Sequence, residues 1–176
     1  MKSLLVGIGH KAHQGKDTLG WMIHEELPRH SRVYGFSDAI KAYCRVVGLM
    51  RGKKDPELLQ TIGLAMRNHT ANKWIACLEY RILEESPPIA IITDMRYTNE
   101  ANWITQNNGI TIKVSRFSSS TDSIMLANDR SNHHPSEIDL DDYSFNRHVK
   151  NIDGDLDRLW IAASKLTVEL KARVSV

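Results

Sequence analysis

Residues 3–20, SLLVGIGHKAHQGKDTLG, constrain the architecture more than any other stretch of this chain. An apolar run of Leu4, Leu5, Val6 and Ile8 passes into Gly9 and a polar stretch that ends in Gly15-Lys16-Asp17-Thr18. Behind it Leu19, Met22, Ile23 and Leu27 recur at helical spacing. Strand, glycine-bearing loop, lysine and helix, in that order, are the parts of a phosphate cradle. Loop N–H groups and the helix N-terminus converge on an anion, and the lysine reaches the outer phosphates. The candidate nucleotide-binding residues are therefore Gly9, His10, Lys11, Ala12, His13, Gln14, Gly15, Lys16, Asp17 and Thr18. Asp17 and Thr18 each offer an oxygen to a magnesium ion on the same phosphates. The strict pattern G-x-x-x-x-G-K-[ST] asks for glycine at position 10 and Ser or Thr at 17, where this chain has His10 and Asp17. A Gly-Lys pair in a flexible loop arises often by chance; one between an apolar strand and an amphipathic helix is much rarer, and that context selects the phosphate loop.

The rest of the chain alternates in the same way. Arg32 to Phe36 reads as a second strand, followed by a helix capped by Ser37-Asp38 with Ile40, Tyr43, Cys44, Val47 and Met50 on one side. Pro56 opens another helix, through Leu58, Leu59, Ile62 and Met66. Ala71 to Glu85 gives a further helix, closed by Pro87-Pro88, whose periodicity places Trp74 in the core. Ile89 to Asp94 is continuously apolar up to its carboxylate, the mark of a strand buried on both faces. A helix over 98–108, a strand from Ile110 to Val114 with Arg116 just past its end, a short strand over His148 to Ile152 and a closing helix over Asp155 to Leu170 complete the pattern. Residues 117–146 lack periodicity and are rich in Ser, Asp, Asn and His, which reads as a functional lid.

The predicted fold is α/β: one domain over 1–176, a doubly wound parallel sheet of about five strands flanked by helices, with a lid. Such sheets bind ligands at the carboxyl ends of their strands. Lys16, Asp38, Asp94, Arg96 and Arg116 all fall at those ends. At 176 residues the chain can bury a core without staples, and the two cysteines, Cys44 and Cys77, lie inside amphipathic patterns as reduced thiols. A net charge of +2 does not support a nucleic-acid coat, no apolar run approaches a membrane span, and a cytoplasmic enzyme is expected. His133 and His134 are adjacent and lack further ligands at zinc-site spacing.

Phosphoryl transfer needs a phosphate cradle, a metal, an acceptor site and positive charge around the group in flight. Lys16 belongs to the cradle, and Asp94 is a candidate metal ligand or, alternatively, a helix cap. Arg67, Arg96, Arg116 and Arg130 are the candidate phosphate grips.

With these residues in view the chain resembles the phage-type deoxynucleoside monophosphate kinases, a branch of the P-loop nucleotide kinases. The resemblance is carried by Gly9 to Thr18, with Asp17 in the usual Ser/Thr place; by Phe36-Ser-Asp-Ala-Ile-Lys41; by Thr93-Asp-Met-Arg-Tyr-Thr-Asn-Glu100; and by His134-Pro-Ser-Glu137. It implies transfer of the ATP γ-phosphate to a deoxynucleoside 5′-monophosphate with Mg2+, in the host cytoplasm if phage-encoded, and a possible homodimer. It implies Lys16 and its loop on ATP, and Asp38, Lys41, Arg67, Asp94, Arg96 and Glu100 near the acceptor or metal. Phe36 and Trp74 join the candidate acceptor contacts, and Arg130 with the His134 to Glu137 segment belongs to the closing region. Asn72 stands where relatives carry an acidic residue and Thr98 where they carry proline, departures that touch acceptor specificity rather than reaction type. Two other readings share the cradle: a small-molecule kinase with a hydroxyl acceptor, and a non-catalytic nucleotide-binding or sensing protein.

Overall fold

The computed structural model describes residues 2–50, 52, 55–118 and 134–175. In chain order the elements are β1 (Leu4–Gly9), α1 (Lys16–Glu26), β2 (Ser31–Tyr34), α2 (Ser37–Val46), α3 (Pro56–His69), α4 (Lys73–Glu85), β3 (Ile89–Met95), α5 (Thr98–Gln106), β4 (Ile110–Phe117), α6 (Pro135–Ile138), β5 (Arg147–Ile152) and α7 (Leu156–Val174). The strands form one five-stranded sheet in the order β2-β3-β1-β4-β5, and every neighbouring pair is parallel. From β1 the chain moves to the β2 edge, fills the gap with β3, then crosses to the other side for β4 and β5. The connections diverge at the carboxyl end of β1, which is where such sheets bind their ligands.

The continuous apolar run of β3 serves two layers at once. Ile89 and Ile91 pack with Val6, Ile8, Leu19, Ile23, Leu159 and Leu166, beneath α1 and α7. Ala90 and Ile92 face the other way, onto Ile75, Leu78 and Ile82 of α4 and Ile104 of α5. A smaller cluster of Ile40, Cys44, Met50, Leu59 and Trp74 joins α2, α3 and α4. Cys44 and Cys77 are unpaired thiols. No helix among the described residues is long and apolar enough to cross a membrane.

Tertiary pairing shifts some boundaries. β4 continues past Val114 because β5 pairs with it as far as Phe117 opposite Ile152, so Arg116 lies inside a strand and not beyond its end. The expected Ser37-Asp38 cap is absent, since neither side chain bonds the free amides of α2. Asp94 of β3 does this from another element, accepting the Phe36 N–H at 2.7 Å and the Ser37 N–H at 2.9 Å. Within the aperiodic 117–146 stretch, α6 forms a single turn, with Pro135 at its first position and His134 Nδ1 accepting the Ser136 N–H at 3.2 Å. Arg130 and His133 lie outside the described residues.

Candidate active site

The loop between β1 and α1 carries left-handed backbone at both ends of the motif despite its departures from the strict pattern. His10 takes φ 93° and Gly15 φ 96°, both in the left-handed region. At Gly15 the close approach is absolute, because a Cβ would stand 2.4 Å from Asn151 Nδ2. At His10 a non-glycine residue holds a glycine-like conformation, and external contacts secure it. His10 Nε2 and the Lys11 ammonium each lie 3.0 Å from the Asp141 carboxylate. Burial pushes the His10 imidazole down to about 4, with Lys113 acting in the same direction. Gln14 is buried, and its side-chain oxygen accepts the Arg116 N–H at 2.5 Å. Its carbonyl accepts from Asn151 Nδ2 at 2.9 Å, so β4 and β5 both hold the loop.

α1 begins with no side-chain cap, and its first-turn residues Lys16, Asp17 and Thr18 border the cleft. Lys16 is buried, and its ammonium donates to the carbonyl of Lys11 across the loop. Burial first, and the charge of Arg96 second, bring this lysine down to about 7, against the pull of Glu137, Asp17 and Asp94. An uncapped helix start and an under-compensated buried ammonium are the fittings of an anion site.

The facing wall comes from β3 and the turn after it. Asp17 Oδ1 accepts the Thr93 hydroxyl at 2.6 Å, which holds this exposed carboxylate beside the loop. Arg96 donates to Glu137 Oε1 at 2.5 Å, and Glu137 Oε2 accepts the Ala12 N–H at 2.8 Å. Arg67, from α3, donates to Glu100 Oε1 at 2.6 Å and stacks over the Tyr97 ring at 3.9 Å. Glu100 is fully buried and also accepts the backbone N–H groups of Arg96 and Tyr97. Burial pushes its carboxyl up, with Arg67 and the Arg96 amide pulling the other way. Arg116 pairs with Asp153 at the far side of the loop.

These groups border one cleft of about 660 Å³. Ala12 to Thr18, Phe36, Arg67, Asp94, Arg96 and Arg116 line it. Gly9, His10 and Lys11 do not border the cleft, and neither does Glu100, the partner of Arg67. Asp38 and Lys41 pair with each other at 3.1 Å, and Asp38 also meets Arg81 at 3.4 Å; neither borders the cleft. Trp74 is packed in the third cluster with its indole N–H on the Gly63 carbonyl at 3.1 Å, and does not reach the cleft. A hydrated magnesium ion, which is held by one or two carboxylates together with substrate phosphates, fits the Asp17 side of the cleft, with Thr18 beside it. Asp94 has both oxygens on the α2 amides and so suits contact through water.

Sequence reasoning did not single out Glu137, Thr93, Asn151 or Asp141 for their contacts. Each acts on the loop from an element more than about seventy residues away, a distance at which periodicity and local motif carry no signal. Only the His-Pro-Ser-Glu segment pointed toward Glu137.

The strand order, the loop after the central strand and the lysine at the start of α1 define a parallel α/β sheet whose first connection has the order of a phosphate loop. No family model matches the chain, and no curated protein is similar to it in sequence. Among solved structures, it is similar to TT1252 from Thermus thermophilus: 15% identity over 97% of this chain and 99% of that one, TM-score 0.53. It is also similar to APE1195, at 14% identity over 98% and 97% with TM-score 0.50. A more distant likeness, TM-score 0.47 at 14% identity over 96% and 98%, is to shikimate kinase from Aquifex aeolicus vf5.

Proposed function

We propose that this protein is an ATP- and magnesium-dependent kinase whose acceptor is a deoxynucleoside 5′-monophosphate. The observation that carries the acceptor is a pair of guanidinium groups, Arg67 and Arg96, each tied to a buried carboxylate at the edge of an apolar slot. Phe36, Ile40, Pro56 and Leu59 wall that slot, with Ser37 and Gln60 as its neutral polar side chains. Apolar walls suit a planar base, an amide such as Gln60 suits its hydrogen-bonding edge, and the arginines suit its phosphate. The α1 amides and Lys16 bind the donor phosphates, and Arg116 with the 152–154 turn borders the donor's base. Asp17, and Asp94 through water, would hold magnesium, which would supply positive charge against the phosphates. An acceptor phosphate oxygen forms the new bond to the γ-phosphorus as the β–γ bridging bond breaks and ADP leaves, so positioning and charge do most of the work.

Carboxylates favour the same acceptor. Asp17, Asp94, Glu137 and Asp153 border the cleft, and each already accepts from Thr93, from the α2 amides, from Ala12 and Arg96, or from Arg116. A hydroxyl acceptor is better served by a carboxylate free to take its proton. The second reading, a P-loop kinase of a small hydroxyl compound, draws on Asp94, which lies next to the end of its strand and borders the cleft. ADP release from ATP and magnesium, with each of the four deoxynucleoside monophosphates in turn, tests the proposal. Turnover with one or more supports it and identifies the base. Tight ATP binding with silence from all four transfers the case to the hydroxyl acceptor.

A further inference from the structure

We infer that Glu137 is a positioning residue for phosphoryl transfer: it sets Arg96 against the phosphate loop and thereby aims the guanidinium at the transferring group. The inference rests on the cleft being a phosphotransfer centre and not on which acceptor it takes. Its basis is a single carboxylate with two engaged oxygens. Oε2 holds the Ala12 N–H of the loop at 2.8 Å, and Oε1 holds Arg96 at 2.5 Å. Glu137 is only 6% exposed, so both bonds lie in a low-dielectric setting where charge-assisted contacts are strong. Among the described residues it is the only hydrogen-bond partner of the Arg96 guanidinium, and Arg96 itself lines the cleft.

The short helix that carries Glu137 is itself braced on both sides. Thr98 donates its N–H to Asp139 Oδ2 at 2.5 Å and its hydroxyl to the Asp139 carbonyl at 2.9 Å, which fastens α6 to the start of α5. Asp141 holds His10 and Lys11, and buried Leu140 roots the segment in the core. Residues 137–141 thus join the phosphate loop to the turn that bears Arg96, and Glu137 is where that joint meets the cleft. Without it a long arginine side chain regains its rotamers beside the loop.

A double-mutant cycle on the full chain separates positioning from mere structural support: wild type, Glu137→Gln, Arg96→Gln and the double variant. Each is assayed for ADP release with ATP and the best deoxynucleoside monophosphate, and also with water as the acceptor. Glutamine keeps a carbonyl for the Ala12 N–H but loses the charge that holds Arg96. The expected result for Glu137→Gln is a fall in kcat of about tenfold or more with KM for ATP within about twofold. In the Arg96→Gln background the same change then costs less than about twofold, because the group it positions is gone. Additive losses, a kcat within about twofold of wild type, or a rise in KM for ATP as large as the fall in kcat would each overturn the inference. Silence with every deoxynucleoside monophosphate removes only the acceptor reading, since the cycle is then read on hydrolysis by water. No ADP by either route removes both.

Discussion

Lys16 is buried at 6% exposure in a cleft that it shares with another cation, Arg96. A bound polyphosphate would supply the missing countercharge, and this is the physical reason for expecting one to bind there. Lys16→Ala is expected to lower kcat by about a hundredfold or more while leaving the circular dichroism spectrum unchanged; an ADP-release rate equal to wild type would remove the cradle. His10 has a different consequence. Its ordinary value is 6.5 and burial brings it to about 4 in the folded chain, so below 6.5 the unfolded state takes up a proton that the folded state refuses. Stability from this site is complete above 6.5 and is lost as pH falls toward about 4. Thermal melts of wild type and His10→Gly across that window check it. The wild-type melting temperature should fall more steeply, and parallel curves would count against the neutral, buried imidazole. Glycine also suits φ 93°, so this variant should still bind ATP.

At the level of elements, the start of α2 is completed by a residue of β3. Asp94 accepts two of the helix's amides, and Gly35 is what lets it approach, since a Cβ there would stand 2.8 Å from Asp94 Oδ2. The sequence placed a carboxylate at the end of an apolar strand and left open whether it capped a helix or met a metal. The structure gives it a cap, on the helix before it in the chain and not on the one after. Asp94→Asn keeps a carbonyl for one amide and removes the charge. Its expected cost is about 1 kcal/mol or less in urea unfolding, with a much larger loss of turnover and a raised magnesium requirement. Turnover falling only in step with stability would limit Asp94 to the cap. Gly35→Ala should move the carboxylate and weaken cap and activity together.

Taken as a whole, the molecule is a sheet whose loops at the carboxyl ends of the strands border the cleft, so ligand binding there should register in global stability. ATP with magnesium at about a hundredfold above its Kd is expected to add roughly 2.7 kcal/mol, seen as a rise in melting temperature that Lys16→Ala lacks. No rise at saturating nucleotide would argue against the donor site. Much of this architecture was legible beforehand. Strand and helix periods, the continuous apolar run of β3 and the Gly15-Lys16 start of α1 are local properties, set by side-chain spacing and backbone preference within a few residues. They determined the α/β class and the parallel sheet, and they pointed to the carboxyl ends of the strands as the candidate site. Tertiary structure alone decided that Asp38 pairs with Lys41 away from the cleft and that Arg116 sits within a strand. It also decided which carboxylates hold the arginines. Those outcomes depend on pairings such as Arg67 with Glu100 and Ala12 with Glu137, between residues 33 and 125 positions apart, whose meeting follows from strand order and packing and leaves no periodic trace along the chain.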